Sequence, residues 1–305
     1  MAKSPLFTDG LATDTFYINL RSAGNEYTRP ARDRCEALWE LFEPYADREF
    51  LTEIRSNFYA RYWEMYLITY LIGEGYTVHC PKPGPDVGIE FDKRRIWFEA
   101  TSPTRGADGT VDRVPAQKLV RRGDEPVVQD VPNEKLVLRY LNSISTKYNE
   151  QYASWLQREI VGPEDAFVIA INPRGLGFEW ADTQPPRILQ AAFTLGSPYA
   201  VIDQKTLAPV GAGYQFRDAI AKASGALVQT GIFQQKEYSG LSGLLCSRVD
   251  AVNQPEKMGT DFQLVPNPHA SVSLPHNFRL KGTYFRIDPN EAGYTAIPEV
   301  DAGNN

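Results

Sequence analysis

Apolar residues recur at helical spacing in two stretches near the start of the chain. Residues 32–50 carry an apolar stripe, and residues 52–72 continue with a longer helical pattern that ends at Gly73 or Gly75. Glycine readily adopts the left-handed conformation in which many helices end. Residues 1–28 show no such period. The pattern therefore predicts an irregular N-terminal arm followed by two helices.

A change to strand-like patterns follows the second helix. Residues 76–80 form a short apolar run, and residues 86–102 alternate as a β-hairpin does. Helical spacing returns over residues 134–156, and residues 166–172 are almost continuously apolar, which is typical of a strand buried on both faces. The apolar face of the predicted 134–156 helix comprises Val137, Leu141, Ile144, Tyr148, Tyr152 and Trp155. The predicted order over residues 52–172 is helix, strand, strand, strand, helix, strand.

The signals weaken after residue 172. Short apolar runs at residues 199–202, 226–233 and 241–252 predict strands, and residues 216–223 predict a short helix. We therefore expect an α/β fold with a mixed central sheet, in which a core of αβββαβ order carries an N-terminal helical arm and a C-terminal β-rich extension.

The same pattern divides the chain into three segments. Residues 1–50 form the arm and its helix, residues 51–172 form the core, and residues 173–305 form an extension expected to pack on the core. Within the core, residues 104–133 form a polar insertion rich in Gly, Asp, Arg and Pro. Loops of this length inside a compact domain are uncommon and are often functional.

Composition places the protein among ordinary globular chains. Of its 305 residues, 42% are hydrophobic and 23% are charged, and no apolar run approaches the length of a membrane span. Cys35, Cys80 and Cys246 are too few and too scattered for a disulfide framework or a zinc knuckle. The N-terminus lacks the apolar region of a signal peptide. We expect a reduced, cytoplasmic protein without a membrane partner.

Net charge bears on the class of partner. The formal charge of −6 counts against a dedicated nucleic-acid-binding protein, because such proteins are usually basic. Positive charge nevertheless clusters in Lys93-Arg94-Arg95 and between Arg105 and Arg122. A local basic surface and an ordinary solvated loop both fit these clusters.

The predicted hairpin brings two carboxylates together. Alternation puts Val87, Ile89 and Phe91 on one face of the first strand and leaves Asp86 on the other, where Glu99 of the second strand also lies. If Lys93-Arg94 is a two-residue turn, Asp86 and Glu99 are diagonal neighbours, roughly 7–8 Å apart at the backbone.

Gly88 and the length of the loop also determine whether this predicted hairpin can hold an ion. Gly88 then faces Glu99 and leaves space for an ion between the carboxylates. Since lysine and arginine are not favoured in tight two-residue turns, a four-residue loop of the same parity also fits. An odd loop length would mix the apolar and polar faces.

A third carboxylate, Glu64, lies on the helix before the hairpin. It shares a face of that helix with apolar residues, so its side chain needs a partner. One alternative is an ordinary salt bridge, with Arg61 or another arginine. The other is a metal ion or a metal-bound water.

The arrangement of a helix glutamate, Pro85-Asp86 opening one strand and Glu99-Ala100-Thr101 on the next resembles the PD-(D/E)XK, or restriction-endonuclease-like, nuclease superfamily. The resemblance covers residues 53–172, including their αβββαβ order. It implies that Asp86 and Glu99 hold Mg²⁺ or Mn²⁺, with the Ala100 carbonyl as a further ligand. It also implies that Glu64 is the acidic residue of the first helix.

Thr101 is the departure from the pattern, because the superfamily has lysine there. A threonine hydroxyl carries no charge with which to balance a phosphate. Lys93 is too distant, since about seven strand residues at roughly 3.3 Å each separate it from the carboxylates. Lys147, on the following helix, is the expected replacement, with Arg139 two turns earlier on nearly the same face; an ordinary surface lysine is the alternative.

These observations predict a metal-dependent phosphodiesterase acting on nucleic acid, with DNA as the expected substrate. The residues expected to carry catalysis are Glu64, Asp86, Glu99 and Lys147. A catalytically inactive nuclease-like module for binding or assembly is one alternative, favoured by Thr101 and the acidic charge. A metal-dependent enzyme acting on nucleotides is another. A homodimer is a further expectation.

Overall fold

The protein has an α/β architecture built on a large mixed sheet. The computed structural model describes residues 4–26, 28–118, 125, 128–290 and 293–300. Within these residues, eight strands form one mixed sheet, and two further two-stranded hairpins lie outside it. The expected fold class, α/β with a mixed central sheet, is confirmed.

The N-terminal region is helical from residue 15 onward. Its helices are α1 Thr15–Ser22, α2 Thr28–Phe42, α3 Phe50–Glu53 and α4 Phe58–Gly73. The prediction of an irregular arm over residues 1–28 is therefore wrong for residues 15–22, whereas residues 4–14 have no helix or strand. The predicted 32–50 helix starts earlier and ends at Phe42, and the predicted 52–72 helix starts only at Phe58 but ends at Gly73 as expected.

Asp14 explains why the arm folds. Its Oδ1 accepts hydrogen bonds from the backbone N–H groups of Phe16 and Tyr17, and so caps α1. Its Oδ2 accepts a further bond, 3.1 Å long, from the N–H of Phe58 at the start of α4. One carboxylate thus satisfies the ends of two helices, and periodicity gives no sign of such a distant cap.

The first three strands are β1 Val78–His79, β2 Val87–Phe91 and β3 Arg94–Thr101, joined antiparallel in that order. Asp92 and Lys93 form the two-residue turn between β2 and β3, both with positive φ (50° and 63°). That is the conformation of a type I′ hairpin turn. The predicted Lys93-Arg94 turn is wrong by one residue.

The shifted turn changes the pairing by two residues without exchanging the faces. Val87 lies opposite Phe98, and Gly88 lies opposite Trp97. Asp86, the next residue out, is therefore in register with Glu99 itself rather than diagonal to it. The role predicted for Gly88 is also wrong: a Cβ there would lie 2.6 Å from the Trp97 ring, so this glycine makes room for an indole and not for an ion.

The crossover from β3 to β4 is a long helical segment. It comprises α5 Asn133–Thr146, a π-helical stretch Lys147–Tyr152 and α6 Ala153–Gln157, followed by β4 Ala166–Ile171. β4 pairs parallel to β3. The apolar face predicted for residues 134–156 is buried except for Tyr148, which is partly buried, and the predicted strand is buried.

Two hydrophobic cores lie on opposite sides of the sheet. Along β4, Val168 and Ala170 point into the core formed with α2 and α4, whereas Phe167, Ile169 and Ile171 point into the core formed with α5. This alternation between two apolar layers explains the continuous apolar sequence of the strand. In the first of these cores, Trp63 of α4 donates a 2.8 Å hydrogen bond to the Ala170 carbonyl of β4.

The C-terminal half extends the same sheet. Its elements are α7 Arg187–Ala192, β5 Leu195–Ile202, β6 Pro209–Phe216, β7 Ala219–Ala221, β8 Leu227–Gln229, β9 Gly243–Cys246, β10 Gln263–Pro266, β11 Thr283–Asn290 and β12 Gly293–Val300. Short 3₁₀ turns cover Glu43–Tyr45, Pro173–Leu176, Glu179–Ala181, Ile232–Gln234 and Lys236–Tyr238. β9 pairs parallel to β4, which joins this half to the core.

The short helix predicted over residues 216–223 is wrong. Its alanines and lysine have good helix propensity, but Ala219–Ala221 pair antiparallel with Leu227–Gln229. Gly225, with a φ of 83°, allows the turn between them. Among the described residues, no helix is long and apolar enough to cross a membrane.

The contact between Gly88 and Trp97 makes the pairing of β2 and β3 sensitive to one methyl group. We expect Gly88→Ala to lower the free energy of unfolding by about 1–3 kcal/mol, because the indole must move and is held by a 2.8 Å bond to Asp165. Urea unfolding measures this change.

The matched control is Gly73→Ala at the end of α4, where an added Cβ meets nothing within 4 Å. There we expect stability to stay equal or to rise by up to about 1 kcal/mol. Equal stabilities for Gly88→Ala and the wild type would contradict the close packing of Trp97.

Candidate active site

Asp86 and Glu99 are held together across two neighbouring strands. The backbone N–H of Asp86 donates to Glu99 Oε2 at 3.3 Å, and the N–H of Ala100 donates to Asp86 Oδ2 at 2.7 Å. The two reciprocal bonds continue the pairing of β2 and β3 by one residue beyond the ladder. The structure therefore brings the two predicted carboxylates together, more closely than the predicted diagonal.

Lys147 reaches Glu99 from the helical segment that covers the same face of the sheet. Its Nζ lies 2.6 Å from Glu99 Oε1, and only 22% of its side chain is exposed. It stands at the junction of α5 and the π-helical stretch, a kind of irregularity that is frequent at functional sites. Lys147 thus points at the carboxylates rather than into solvent.

Glu64 approaches from α4. It is 3% exposed, and its Oε2 lies 2.6 Å from Arg61 Nη1, which is the ordinary salt bridge expected as one alternative. Its Oε1 lies 3.7 Å from Lys82 Nζ and, within the described part of the chain, has no hydrogen-bond partner. One oxygen of this carboxylate is therefore committed to Arg61, and the other is buried beside Lys82 without a hydrogen bond among the described residues.

Arg61 and Lys82 were not predicted as parts of a site. Arg61 also pairs with Asp47, at 3.2 Å, and with Glu53, and Lys82 lies 3.9 Å from Asp47. Lys82 lies in the irregular segment between β1 and β2, where no periodicity indicates its direction. The only signal in the sequence was its short distance from Asp86 along the chain.

The cluster carries an excess of negative charge. Its carboxylates are Asp47, Glu53, Glu64, Asp86 and Glu99, and its cations are Arg61, Lys82 and Lys147. With every group ionised, the formal excess is two negative charges.

The acidities of the buried groups reflect this excess. Burial, and then the negative charge of Asp86, raise the pKa of Glu99 to about 8 and that of Glu64 to about 7. Burial opposes the charged form of Lys147, but attraction to Glu99, Asp86 and Glu64 outweighs it and raises the pKa of the ammonium group. Burying carboxylates beside one another costs free energy, which a bound cation would recover.

The donor set fits a hard divalent cation. Asp86 and Glu99 supply carboxylate oxygens, and Glu64 supplies an unsatisfied one. Since a strand residue directs its N–H and C=O to the same side, and the N–H of Ala100 points at Asp86, its carbonyl lies on the Asp86 side too. No three His, Cys, Asp or Glu side chains among the described residues already stand as a metal-binding group.

The remaining predicted residues occupy separate positions. Thr101 Oγ1 lies 2.9 Å from Ser143 Oγ of α5, and so ties the end of β3 to this helix. Lys93 stands in the turn at the opposite end of the hairpin. Arg139 borders a cavity of about 230 Å³ that begins at Thr101 and Lys147.

Comparison of the chain with models of protein families, with curated proteins and with solved structures found no significant match.

The repulsion among the carboxylates predicts that neutralising one of them stabilises the metal-free protein. Asp86→Asn keeps an oxygen for the Ala100 N–H but removes the charge that raises the pKa of both Glu64 and Glu99. We expect the free energy of unfolding in EDTA to rise by about 1 kcal/mol, measured by urea denaturation at neutral pH.

Asp165→Asn is the matched control, because Asp165 accepts from Trp97 Nε1 and from the Gly162 N–H outside this cluster. We expect that substitution to leave stability equal or lower. A loss of stability in Asp86→Asn as large as in the control would contradict the proposed repulsion.

Proposed function

We propose that this protein is a metal-dependent nuclease that hydrolyses phosphodiester bonds in nucleic acid, with DNA as the substrate. The observation that carries the proposal is the 2.6 Å contact between Lys147 Nζ and Glu99 Oε1, beside the bonded pair Asp86 and Glu99. Two carboxylates and one lysine are the groups that the PD-(D/E)XK pattern requires. Here the lysine comes from the following helix.

The order of the elements supports the same assignment. α4 precedes β1, β2 and β3, and α5 then leads to β4. In the sheet these strands are neighbours in the order β1-β2-β3-β4, with the first two pairs antiparallel and the last parallel. We infer a restriction-endonuclease-like core from this order together with the carboxylates at the ends of β2 and β3.

The residues of the site would have different roles in hydrolysis. Asp86, Glu99 and the Ala100 carbonyl would hold Mg²⁺ or Mn²⁺, which when bound lowers the pKa of a water and neutralises charge on the phosphate oxygens. Lys147 would donate to the attacking water or to a phosphate oxygen, and its ammonium group would stabilise the charge that develops there. The free Oε1 of Glu64 would accept a hydrogen bond from a water in the site.

The cysteines bear on the cellular location of such an enzyme. Cys35, Cys80 and Cys246 are free thiols, which supports a cytoplasmic location. The homodimer stays a prediction.

The direct test is cleavage of plasmid DNA and labelled oligonucleotides with Mg²⁺, with Mn²⁺ and with EDTA. We expect cleavage only with the metal, and its loss in Asp86→Ala and in Glu99→Ala, because each variant removes a ligand. Calorimetry with Mn²⁺ measures the accompanying loss of metal binding.

Each other outcome selects a different function. Full structure without metal binding or cleavage would favour the inactive module for binding or assembly. Hydrolysis of nucleotides in a panel, with plasmid and oligonucleotides untouched, would favour the nucleotide-directed enzyme. Equal cleavage by the Asp86→Ala, Glu99→Ala double variant would refute the proposed site.

Lys147 gives a second, separate prediction. We expect Lys147→Met to reduce the rate of the chemical step at least about 100-fold, because the neutral side chain cannot stabilise charge on the phosphate. Mn²⁺ binding should persist, since the carboxylates remain. Single-turnover cleavage and calorimetry on the same preparation separate these effects.

Lys257→Met, at an exposed position after β9, is the matched control and should leave the rate unchanged. Adding Thr101→Lys to Lys147→Met should restore part of the rate, since residue 101 shares a strand face with Glu99. A Lys147→Met variant as active as the control would show that this lysine is only a partner of Glu99.

A further inference from the structure

Three arginines converge beside the candidate site, on the insertion between β3 and α5 and on α5 itself. Arg113 Nε donates to the Gly106 carbonyl at 3.3 Å. A Cβ on Gly106 would lie only 2.6–2.9 Å from the guanidinium atoms of Arg139, so this group packs directly against the same glycine. Arg105 immediately precedes this glycine, and its Nε donates to the carbonyl of Val114, the residue after Arg113. The three arginine side chains therefore contact the hydrogen-bonded backbone of residues 105–106 and 113–114.

Their hydrogen-bonding capacity is only partly used. Arg105 Nε donates to the Val114 carbonyl at 3.0 Å, and Arg139 Nη2 donates to the Asp112 carbonyl at 2.9 Å. Arg105 Nη2 and Arg139 Nε are buried and, among the described residues, have no partner. A buried N–H donor without an acceptor lowers the stability of the fold unless a ligand accepts its hydrogen bond.

Charge in the cluster is unbalanced as well. Among the described residues, these three arginines form one ion pair, between Arg113 and Asp108. The side chain of Asp108 is 87% exposed. Burial and the positive charge of Arg113 both lower the pKa of Arg105. Three cations held near one exposed carboxylate form a local site for an anion.

A cavity extends from Arg139 of this cluster to Lys147, the lysine that contacts Glu99. It has a volume of about 230 Å³ and is bordered by Arg139, Lys147 and Thr101, with the hydroxyl groups of Ser102 and Thr104 in its wall. Arg139 and Lys147 are eight residues apart on one continuous helical segment, which is about 12 Å along its axis. An anion at the arginines is thus a different group from one at Glu99.

We propose that Arg105, Arg113 and Arg139 bind a second phosphate of the nucleic-acid strand whose scissile phosphate lies at Asp86 and Glu99. This assignment rests on the proposed nuclease function. Guanidinium groups match phosphate geometry with paired N–H donors, and the cavity gives the strand a path between the two positions.

The test is the salt dependence of DNA binding with Ca²⁺ in place of Mg²⁺, measured by fluorescence anisotropy of a short labelled duplex between about 50 and 200 mM salt. We expect Arg139→Gln and Arg113→Gln each to weaken binding about tenfold. Each should also reduce the slope of log K against log salt by about 1, as the loss of one phosphate contact does. The side chain of Arg113 is 35% exposed, so its variant stays informative if Arg139→Gln unfolds.

Arg158→Gln, exposed beyond α6, is the matched control and should keep the wild-type slope. Slopes and affinities equal to the control in both variants, or no binding of the duplex by the wild type, would overturn the proposal. Binding of inorganic phosphate by the wild type but not by Arg139→Gln, with no displacement of the duplex, would assign the cluster to a free anion and also overturn the proposal.

Cleavage by the same preparation with Mg²⁺ separates this inference from the nuclease proposal. A reduced slope without cleavage would retain the phosphate site and refute the nuclease. Cleavage with unchanged slopes would retain the nuclease and refute the phosphate site.

Discussion

The pairing of β2 with β3 is the constraint on which the candidate site depends. Asp92 and Lys93 turn the chain with positive φ, so that Val87 meets Phe98 and Asp86 comes level with Glu99. A shift by one residue would turn Glu99 into the core beneath α4. A shift by two would keep the faces and place the two carboxylates diagonally instead of side by side. The position of a two-residue turn therefore decides how closely the acidic pair approaches.

Holding these carboxylates in the sheet costs stability, and the surrounding cations offset only part of that cost. Arg61 and Lys82 approach Glu64, and Lys147 approaches Glu99, yet burial and Asp86 still raise the pKa of both glutamates. Apolar residues of similar volume would suit the fold better. Local destabilisation of this kind is common where a protein needs a charged site, and here it argues that the cluster serves a ligand rather than the fold.

The sequence predicted the layers of this fold better than its connections. Alternation along residues 86–102 and the apolar run 166–172 identified both faces of the sheet, because one face or both must be buried. The same alternation cannot locate the turn, because registers that differ by two residues put the same side chains on each face. In addition, Lys93 is an unusual residue for a positive φ. The contact of Lys82 with Glu64 and the capping of α4 by Asp14 were not predicted for another reason. Both join residues that are far apart in the sequence, and hydrophobic periodicity does not report such contacts.

The threonine in place of the expected lysine has a structural consequence that reaches beyond the lost charge. Thr101 bonds to Ser143 and so fixes α5 against the end of β3, and α5 carries Lys147 to Glu99. The positive charge is thereby supplied from the helix rather than from the strand. Thr101 and Lys147 both line the cavity that extends to Arg139, so a lysine at 101 would take up part of its volume. Placing the cation on the helix thus leaves more of this cavity unfilled.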